Sequence, residues 1–284
     1  VSRTDDIAYC RDLSRRSDLA RHLAARFADG PARRRLEALA AFDAELEKTA
    51  ETVSEPMLGQ IRLAWWREAV AEASGAANGG GAPRAHPVVR ALALAFADAP
   101  GIAAADLERL IDARERDLDP EAFAGPGGEA ALQGYMDEIG RAWAAVSLAA
   151  IGAEGTDAEH TAACASACAW ARELAKAPSR AAAGVCILPG ETLQRAGVSR
   201  DAVLAGRAGA ALGAALSALA IGPAGAAAAA AGARVFMPAA APVCAAAAPA
   251  ALAIARLARG ARVPGGLAVR GALVRSVATG RIRI

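Results

Sequence analysis

The sequence predicts an all-α fold, and three observations carry that prediction. Alanine supplies 84 of the 284 residues, and it is the best helix former because ordering it costs no side-chain entropy. Aromatic residues make up only 4%, which leaves few of the side chains that favour strands. Apolar positions recur at helical spacing along almost the whole chain. Composition therefore argues against a β-sandwich or barrel, and the length is enough to bury a sizeable core without a disulfide or metal staple.

Taken in order, the first helical segment runs from Tyr9 to Phe27, with Leu13, Leu19, Leu23 and Phe27 in loose periodicity, and Gly30-Pro31 ends it. A second covers about 31–52, with Pro31 suited to its first turn. Ser54 is the expected N-cap of a third, which has Pro56 in its first turn and carries Ile61, Trp65 and Ala69. It stops before the loop sequence SGAANGGGAP. Shorter helices are expected at 86–99 and 104–118, then longer ones at about 129–151 and 157–176. The segment 177–199 is punctuated by Pro178, Gly184, Pro189 and Gly197, so a strained or functional connection is expected there. Helices at about 200–221, 249–258 and 265–279 follow. The Ala-rich stretch 222–250 reads as closely packed helix in preference to disorder, because small side chains let helix axes approach.

Charge excludes some functions. The net charge of +2 comes from interspersed residues without a basic block, so nucleic-acid binding is not expected. Cys10, Cys164, Cys168, Cys186 and Cys244 form an odd set without CxxC pairs, which points to a reducing compartment and buried thiols. Cys164 and Cys168 share a helix face, where packing competes with metal binding as a reading. The opening VSRTDDIAYCRD lacks an apolar signal core. The apolar stretches 204–222 and 235–255 are interrupted by Arg207 and by Pro238, Pro242 and Pro249. A cytoplasmic protein is expected, compatible with peripheral association at the inner face of the membrane.

Three constellations could carry chemistry. Glu47 and Glu51 lie one turn apart and point the same way; they suit either a Mg²⁺ site completed by water and phosphate or a solvated acidic face. In 53–70, Arg62 and Trp66 align while Arg67 is rotated away. Trp65 and Trp66 must therefore face two environments, either as core anchors or as the wall of an apolar cavity with arginine at its mouth. The segment 175–189 offers Lys176 and Arg180 but no carboxylate before Glu191, so a charged ligand there would be an anion. His22, His86 and His160 have no nucleophile motif beside them, and a hydrolase is not expected. His86-Pro87 reads as a helix start, and Asp5-Asp6 as acids favouring a helix N-terminus.

Tyr9-Cys10-Arg11, the ALAAFDAEL run, VSEPMLGQIRLAWWREAV at 53–70, LIDARERDLD at 110–119, the Tyr135 helix, and GVCILP followed by AGVS stand in that order over about residues 5–205. Together they resemble the squalene/phytoene synthase family. The resemblance implies an isoprenoid-synthase-type helical bundle around a central cavity, in one domain over 1–284, with the part beyond about 206 too biased in composition to compare. Active members condense two prenyl diphosphates head to head, with Mg²⁺ held by DxxxD motifs on opposite walls. The first motif falls on Glu47 and Glu51. Counting back from Pro189, the second falls on Lys176, Ser179 and Arg180, so two carboxylates have become cations and one a hydroxyl. Val185 replaces the arginine that follows the family's glycine. The resemblance thus implies no usual trinuclear magnesium site: no cofactor is expected, and Mg²⁺ only if the protein is catalytic. Tyr9, Arg62, Trp66, Lys176 and Arg180 are the candidates for lining the cavity or binding diphosphate.

A motif-degenerate branch of that family, which includes mitochondrial complex I assembly factors, is more similar still. It shares the F-x-x-E-L start at Phe42, the VSE block, the I-D-x-R-E run at 111–115, and His160-Thr161-Ala162-Ala163. Three functions follow from the resemblance. One is a catalytically silent assembly or interaction factor with protein partners, respiratory complex I subunits among them. A second is a prenyltransferase using Glu47 and Glu51 with a single metal, or Lys176 and Arg180 in its place. The third is an isoprenoid or lipid carrier. Glu47 and Glu51 facing Lys176 and Arg180 across a common cavity would allow an internal ion pair to close the former metal site.

Overall fold

The computed structural model describes residues 3–53, 55–119 and 121–282, and helices carry its architecture. In chain order these are α1 (Arg3–Ser17), α2 (Leu19–Ala24), α3 (Gly30–Thr52), α4 (Pro56–Ala77), α5 (Pro87–Asp98), α6 (Ala104–Arg114), α7 (Gly128–Ala150), α8 (Ala158–Ala182), α9 (Gly190–Arg195), α10 (Arg200–Leu204), α11 (Gly209–Ile221), α12 (Pro223–Gly232), α13 (Ala241–Cys244), α14 (Ala247–Ala258) and α15 (Gly266–Thr279). Among the described residues, β pairing is confined to an isolated antiparallel bridge between Val235 and Arg281. The all-α expectation holds.

Local chemistry explains where helices start and stop, including where the sequence reading erred. The expected continuous segment from Tyr9 to Phe27 is broken at Asp18, whose carboxylate accepts from the Arg21 amide and caps α2. Asp29 caps α3 in the same way through the Ala32 amide. Ser54 lies outside the described residues, and Glu55 in extended conformation precedes Pro56. Helix α4 also runs on through SGAA to Ala77. Of the residues expected on its inner face, Ala69 is buried but Ile61 is 60% exposed and Trp65 stands at the surface; Gly59, Leu63, Trp66, Ala69, Val70 and Ala73 face inward instead. The predicted helix 200–221 is two helices, because Gly206 and Gly209 adopt positive φ and the Arg207 amide bonds back to the Ala202 carbonyl.

The largest departure concerns α8. It starts where expected, with Asp157 as its cap, but the helix continues six residues past Lys176, straight through Pro178. An interior proline costs a ladder hydrogen bond. Burial of Trp170, Leu174, Ala177 and Ala181 on either side offsets that cost. Gly184 ends the helix: at φ +89° it lets the Val185 amide reach the Arg180 carbonyl and its own amide reach Ala181, closing the last turn. Lys176, Ser179 and Arg180 therefore sit on a rigid helix, not in a connection.

One core gathers α7 to α15 around Trp170, Tyr135 and Leu219. A second gathers α1 and α3 to α7 around Phe42, Leu63 and Trp66. Helix α8 packs against α7, α12 and α14, and α3 against α1 and α5. The Ala-rich stretch is packed helix as expected: Ala224, Ala228 and Ala231 of α12 are buried. Gly209–Gly232 is long and apolar enough to cross a membrane, with 44% of its most apolar window buried inside the protein. All 30 acidic residues precede position 202, whereas the remainder of the chain carries nine arginines and no acid.

The α7–α8 contact depends on Gly140, where an added Cβ would lie 2.8 Å from the Ser166 amide nitrogen and 2.9 Å from its Cβ. Both neighbours are fixed by their own helix. Gly140→Val should destabilise the fold by about 2–3 kcal/mol, read as a lower urea midpoint. Gly134→Ala, where nothing lies within 4 Å of the new carbon, should not.

Candidate functional site

Alanine-rich helices bury little polar chemistry, so the charges between α3 and α8 stand out. On the buried face of α3, Asp43 and Glu47 lie one turn apart; on α8, Arg172, Glu173, Lys176 and Arg180 follow at intervals of one to four. The two helices run past each other in the same direction, pairing Asp43 with Arg172 at 2.8 Å and Glu47 with Lys176 at 2.7 Å.

Asp43 is the hub. Its Oδ2 accepts from Arg21 Nη1 and Arg172 Nη1, both at 2.8 Å, and its Oδ1 from Arg114 Nη2 at 3.0 Å. Arg114 also donates to Tyr135 Oη at 3.0 Å and to Asp117 and Glu173, each at 3.3 Å. Tyr135 passes its own hydrogen to Asp117 Oδ1 at 2.8 Å. Arg180 closes the group, bonded to Glu173 and lying 3.2 Å from Asp117. Burial alone would raise the Asp43 and Glu47 carboxyls. The adjacent cations overcome it: Arg172, Arg114 and Arg21 hold Asp43 well below the usual range, and Arg172, Arg114 and Lys176 hold Glu47 at about 2. Five carboxylates (Asp18, Asp43, Glu47, Asp117, Glu173) thus face five cations (Arg21, Arg114, Arg172, Lys176, Arg180). The cluster is neutral without any added ion.

The seven residues singled out from the sequence do not form one site. Glu47 and Lys176 meet directly. Arg180, expected to offer its charge to a ligand, is 0% exposed and bound to Glu173 and Asp117. The segment 175–189 lacks acids of its own, yet its cations find carboxylates from α3, α8 and the turn after α6. Glu51 is exposed beyond this contact, its carboxyl raised by partial desolvation and by Glu47. Tyr9, Arg62 and Trp66 lie elsewhere, around the start of α5. Tyr9 donates to Glu45 at 3.0 Å, and partial burial beside that carboxylate pushes its hydroxyl up to about 12. Arg62 and Trp66 line a cavity of about 360 Å³ with Lys48, Thr49, Trp65 and His86. The two tryptophans do face different environments: Trp66 packs on Phe42, and Trp65 carries Arg84 on its ring. Helix α5 starts where expected, with His86 as its cap. Asp5 and Asp6 lie in the first turn of α1 as expected, and Asp6 is in addition buried and pairs bidentately with Arg90 of α5.

The donor set does not fit a magnesium ion. Glu47 Oε2 is taken by the Lys176 ammonium, its Oε1 lies 3.9 Å from Arg172 Nε, and Glu51 feels Glu47 and Lys176 only through their charges. Among the described residues no group of three or more Asp, Glu, His or Cys could hold a metal. The five cysteines are free and buried.

Sequence reasoning missed Asp43, Arg114, Asp117, Tyr135, Arg172 and Glu173 as a unit. A usable signal was present: 172, 173, 176 and 180 recur at helical spacing in a helix otherwise built of small residues.

Comparison with known proteins follows this geometry. The squalene/phytoene synthase family profile matches residues 14–275. Two curated relatives carry the name NADH dehydrogenase (ubiquinone) complex I, assembly factor 6. The rat protein is 29% identical over 158 residues and the mouse protein 29% over 154, covering 56% and 54% of this chain. These matches span 45% and 44% of the relatives' own lengths, less than half. Squalene synthase HpnC from Alicyclobacillus acidocaldarius superposes with a TM-score of 0.66 at 20% identity, over 90% of this chain and 94% of that one. A dehydrosqualene synthase in complex with ligand gives 0.68 at 16%, over 96% and 95%. These two likenesses concern the fold.

Removing the hub while keeping its shape should be costly, because three guanidiniums would share an uncharged partner. Asp43→Asn should lose about 3–5 kcal/mol of stability in urea denaturation. The pH dependence has a definite sign. Glu47 and Asp43 titrate lower folded than unfolded, so their contribution is complete above the ordinary carboxyl range and is lost as pH falls through the folded values. The unfolding midpoint should drop from about pH 5 toward pH 2. Glu47→Gln should flatten that drop.

Proposed function

The chain belongs to the squalene/phytoene synthase family, and within it we propose a non-catalytic member that acts as an assembly or interaction factor of the respiratory complex I type. One observation carries the reading: the Lys176 ammonium occupies Glu47 at 2.7 Å, where active relatives are expected to bind metal between acids. Ionising a prenyl diphosphate needs cationic charge directed at the leaving group. Here Lys176 is committed to Glu47, and Arg180 is committed to Glu173 and Asp117. Neither route to an active enzyme is favoured: Glu47 is not free for a metal, and Arg180 does not face a ligand. The assembly role is supported by the two relatives named as complex I assembly factors. Its partners would be complex I components, met at the inner face of the membrane.

Purified protein incubated with farnesyl diphosphate and Mg²⁺ should release no pyrophosphate above the background without protein; sustained turnover abolished by Glu47→Ala would sink the non-catalytic reading. Deleting the gene should lower the amount of assembled respiratory complex I on native gels, with recovery when the chain is supplied from a plasmid. Normal complex I in the deletion strain counts against the assembly role.

A further inference from the structure

At the opposite end of α3 from Glu47, four arginines gather around one cavity. Arg11 of α1, Arg26 just after α2, and Arg33 and Arg34 of α3 line a space of about 310 Å³ together with His22 and Glu37. Arg33 and Glu47 are fourteen residues apart on one helix, which separates them by roughly 20 Å. The cavity is therefore distinct from the acidic contact with α8.

Some exposed or half-exposed arginines elsewhere in this protein pair with acids, Arg67 with Asp112 and Glu115, Arg84 with Glu68 and Glu72, and Arg90 with Asp6. Others, such as Arg141 and Arg259, have no ion pair among the described residues. What marks the cavity is that four unpaired guanidiniums converge on one space. Arg11, Arg26, Arg33 and Arg34 make no ion pair or hydrogen bond among the described residues. One carboxylate, Glu37, faces all four, so the rim carries a net charge of about +3 and repels itself. His22 gives an independent sign. It is 6% exposed, and its Nδ1 has no hydrogen-bond partner. The nearest acid, Glu37 Oε1, is 3.7 Å away, beyond hydrogen-bonding distance. Burial, with Arg26, Arg15 and Arg11 nearby, lowers the His22 pKa, leaving an imidazole with a hydrogen to donate at neutral pH. A buried unpaired ring nitrogen beneath converging guanidiniums is costly until something fills the space between them.

We propose that this cavity binds a phosphate group, carried by a free phosphate ester or by a phospholipid headgroup. Guanidinium forks match phosphate oxygens two at a time, and four of them can surround a phosphate while Glu37 keeps the empty cavity tolerable. The inference does not depend on the assembly role.

The test is titration of the full chain with pyrophosphate and with glycerol 3-phosphate by calorimetry, beside co-sedimentation with phosphatidylcholine vesicles lacking or containing phosphatidylglycerol. Saturable binding of a soluble probe, or retention only by the phosphatidylglycerol vesicles, is expected. The first outcome identifies a free ester and the second a headgroup. Arg33→Gln with Arg34→Gln should weaken binding about tenfold or more, and so, separately, should Arg11→Gln with Arg26→Gln, whose side chains are exposed and whose loss leaves the fold intact by circular dichroism. Arg109→Gln is the surface control. The proposal is overturned if no probe binds, if both double variants bind as the parent does, or if Lys176→Ala abolishes binding while the arginine variants retain it.

Discussion

Asp43 holds the molecule together where apolar packing alone would leave it loosely specified. Its two oxygens collect guanidiniums from α2, α6 and α8 onto α3. Alanine-covered helices present nearly smooth surfaces, and apolar contact is non-directional, so such helices can slide or rotate against each other at little cost. Guanidinium forks cannot, because each demands its carboxylate in one plane and at one distance. The register of α3 against α8, Asp43 on Arg172 and Glu47 on Lys176, follows from that demand. Burying so many charges brings a large desolvation cost, which is met here by matching cations to acids and by adding Tyr135 as a hydrogen-bond relay between Arg114 and Asp117.

The same contact is the ground for proposing that this chain does not carry out diphosphate chemistry. A site that ionises diphosphates keeps excess negative charge on the protein so that divalent metals are drawn in. In this chain the cations Lys176 and Arg180 meet Glu47, Glu173 and Asp117, and the cluster is internally neutral. Arg180 moves further still, away from any opening and into the interior behind Glu173. On the proposed reading, side chains satisfy in this family fold the charge that a metal would otherwise meet.

Legibility in the sequence varied with the range of the interaction that decided each feature. Helix class, most helix positions and the helix starts at Asp157 and His86 depend on neighbours a few residues away, and these were readable. The end of α8 was not, because Pro178 and Gly184 compete as terminators, and tertiary burial of Leu174, Ala177 and Ala181 decided for Gly184. The inner face of α4 was misjudged by one residue of rotation: two adjacent tryptophans give no periodic hint of which one meets Phe42. The family motif drew attention to Glu47, Lys176 and Arg180, and two of the three do meet. Asp43, Arg114 and Glu173 escaped notice because each looks like an ordinary surface charge until long-range packing brings them together.

The distribution of charge along the chain has a consequence of its own. The net charge of +2 comes from an acid-rich first 201 residues and a remainder that has arginine alone. The chain after residue 201 contains no acid to neutralise its arginines; Arg234, in the segment after α12, takes its partner, Asp157, from the first part. Where such a segregation along the chain is kept in space, it gives the molecule an electric dipole larger than its total charge suggests. A field turns such a molecule as well as pulling on its net charge, so near an anionic surface it would approach in a preferred orientation, arginine-bearing helices first, before any specific contact forms.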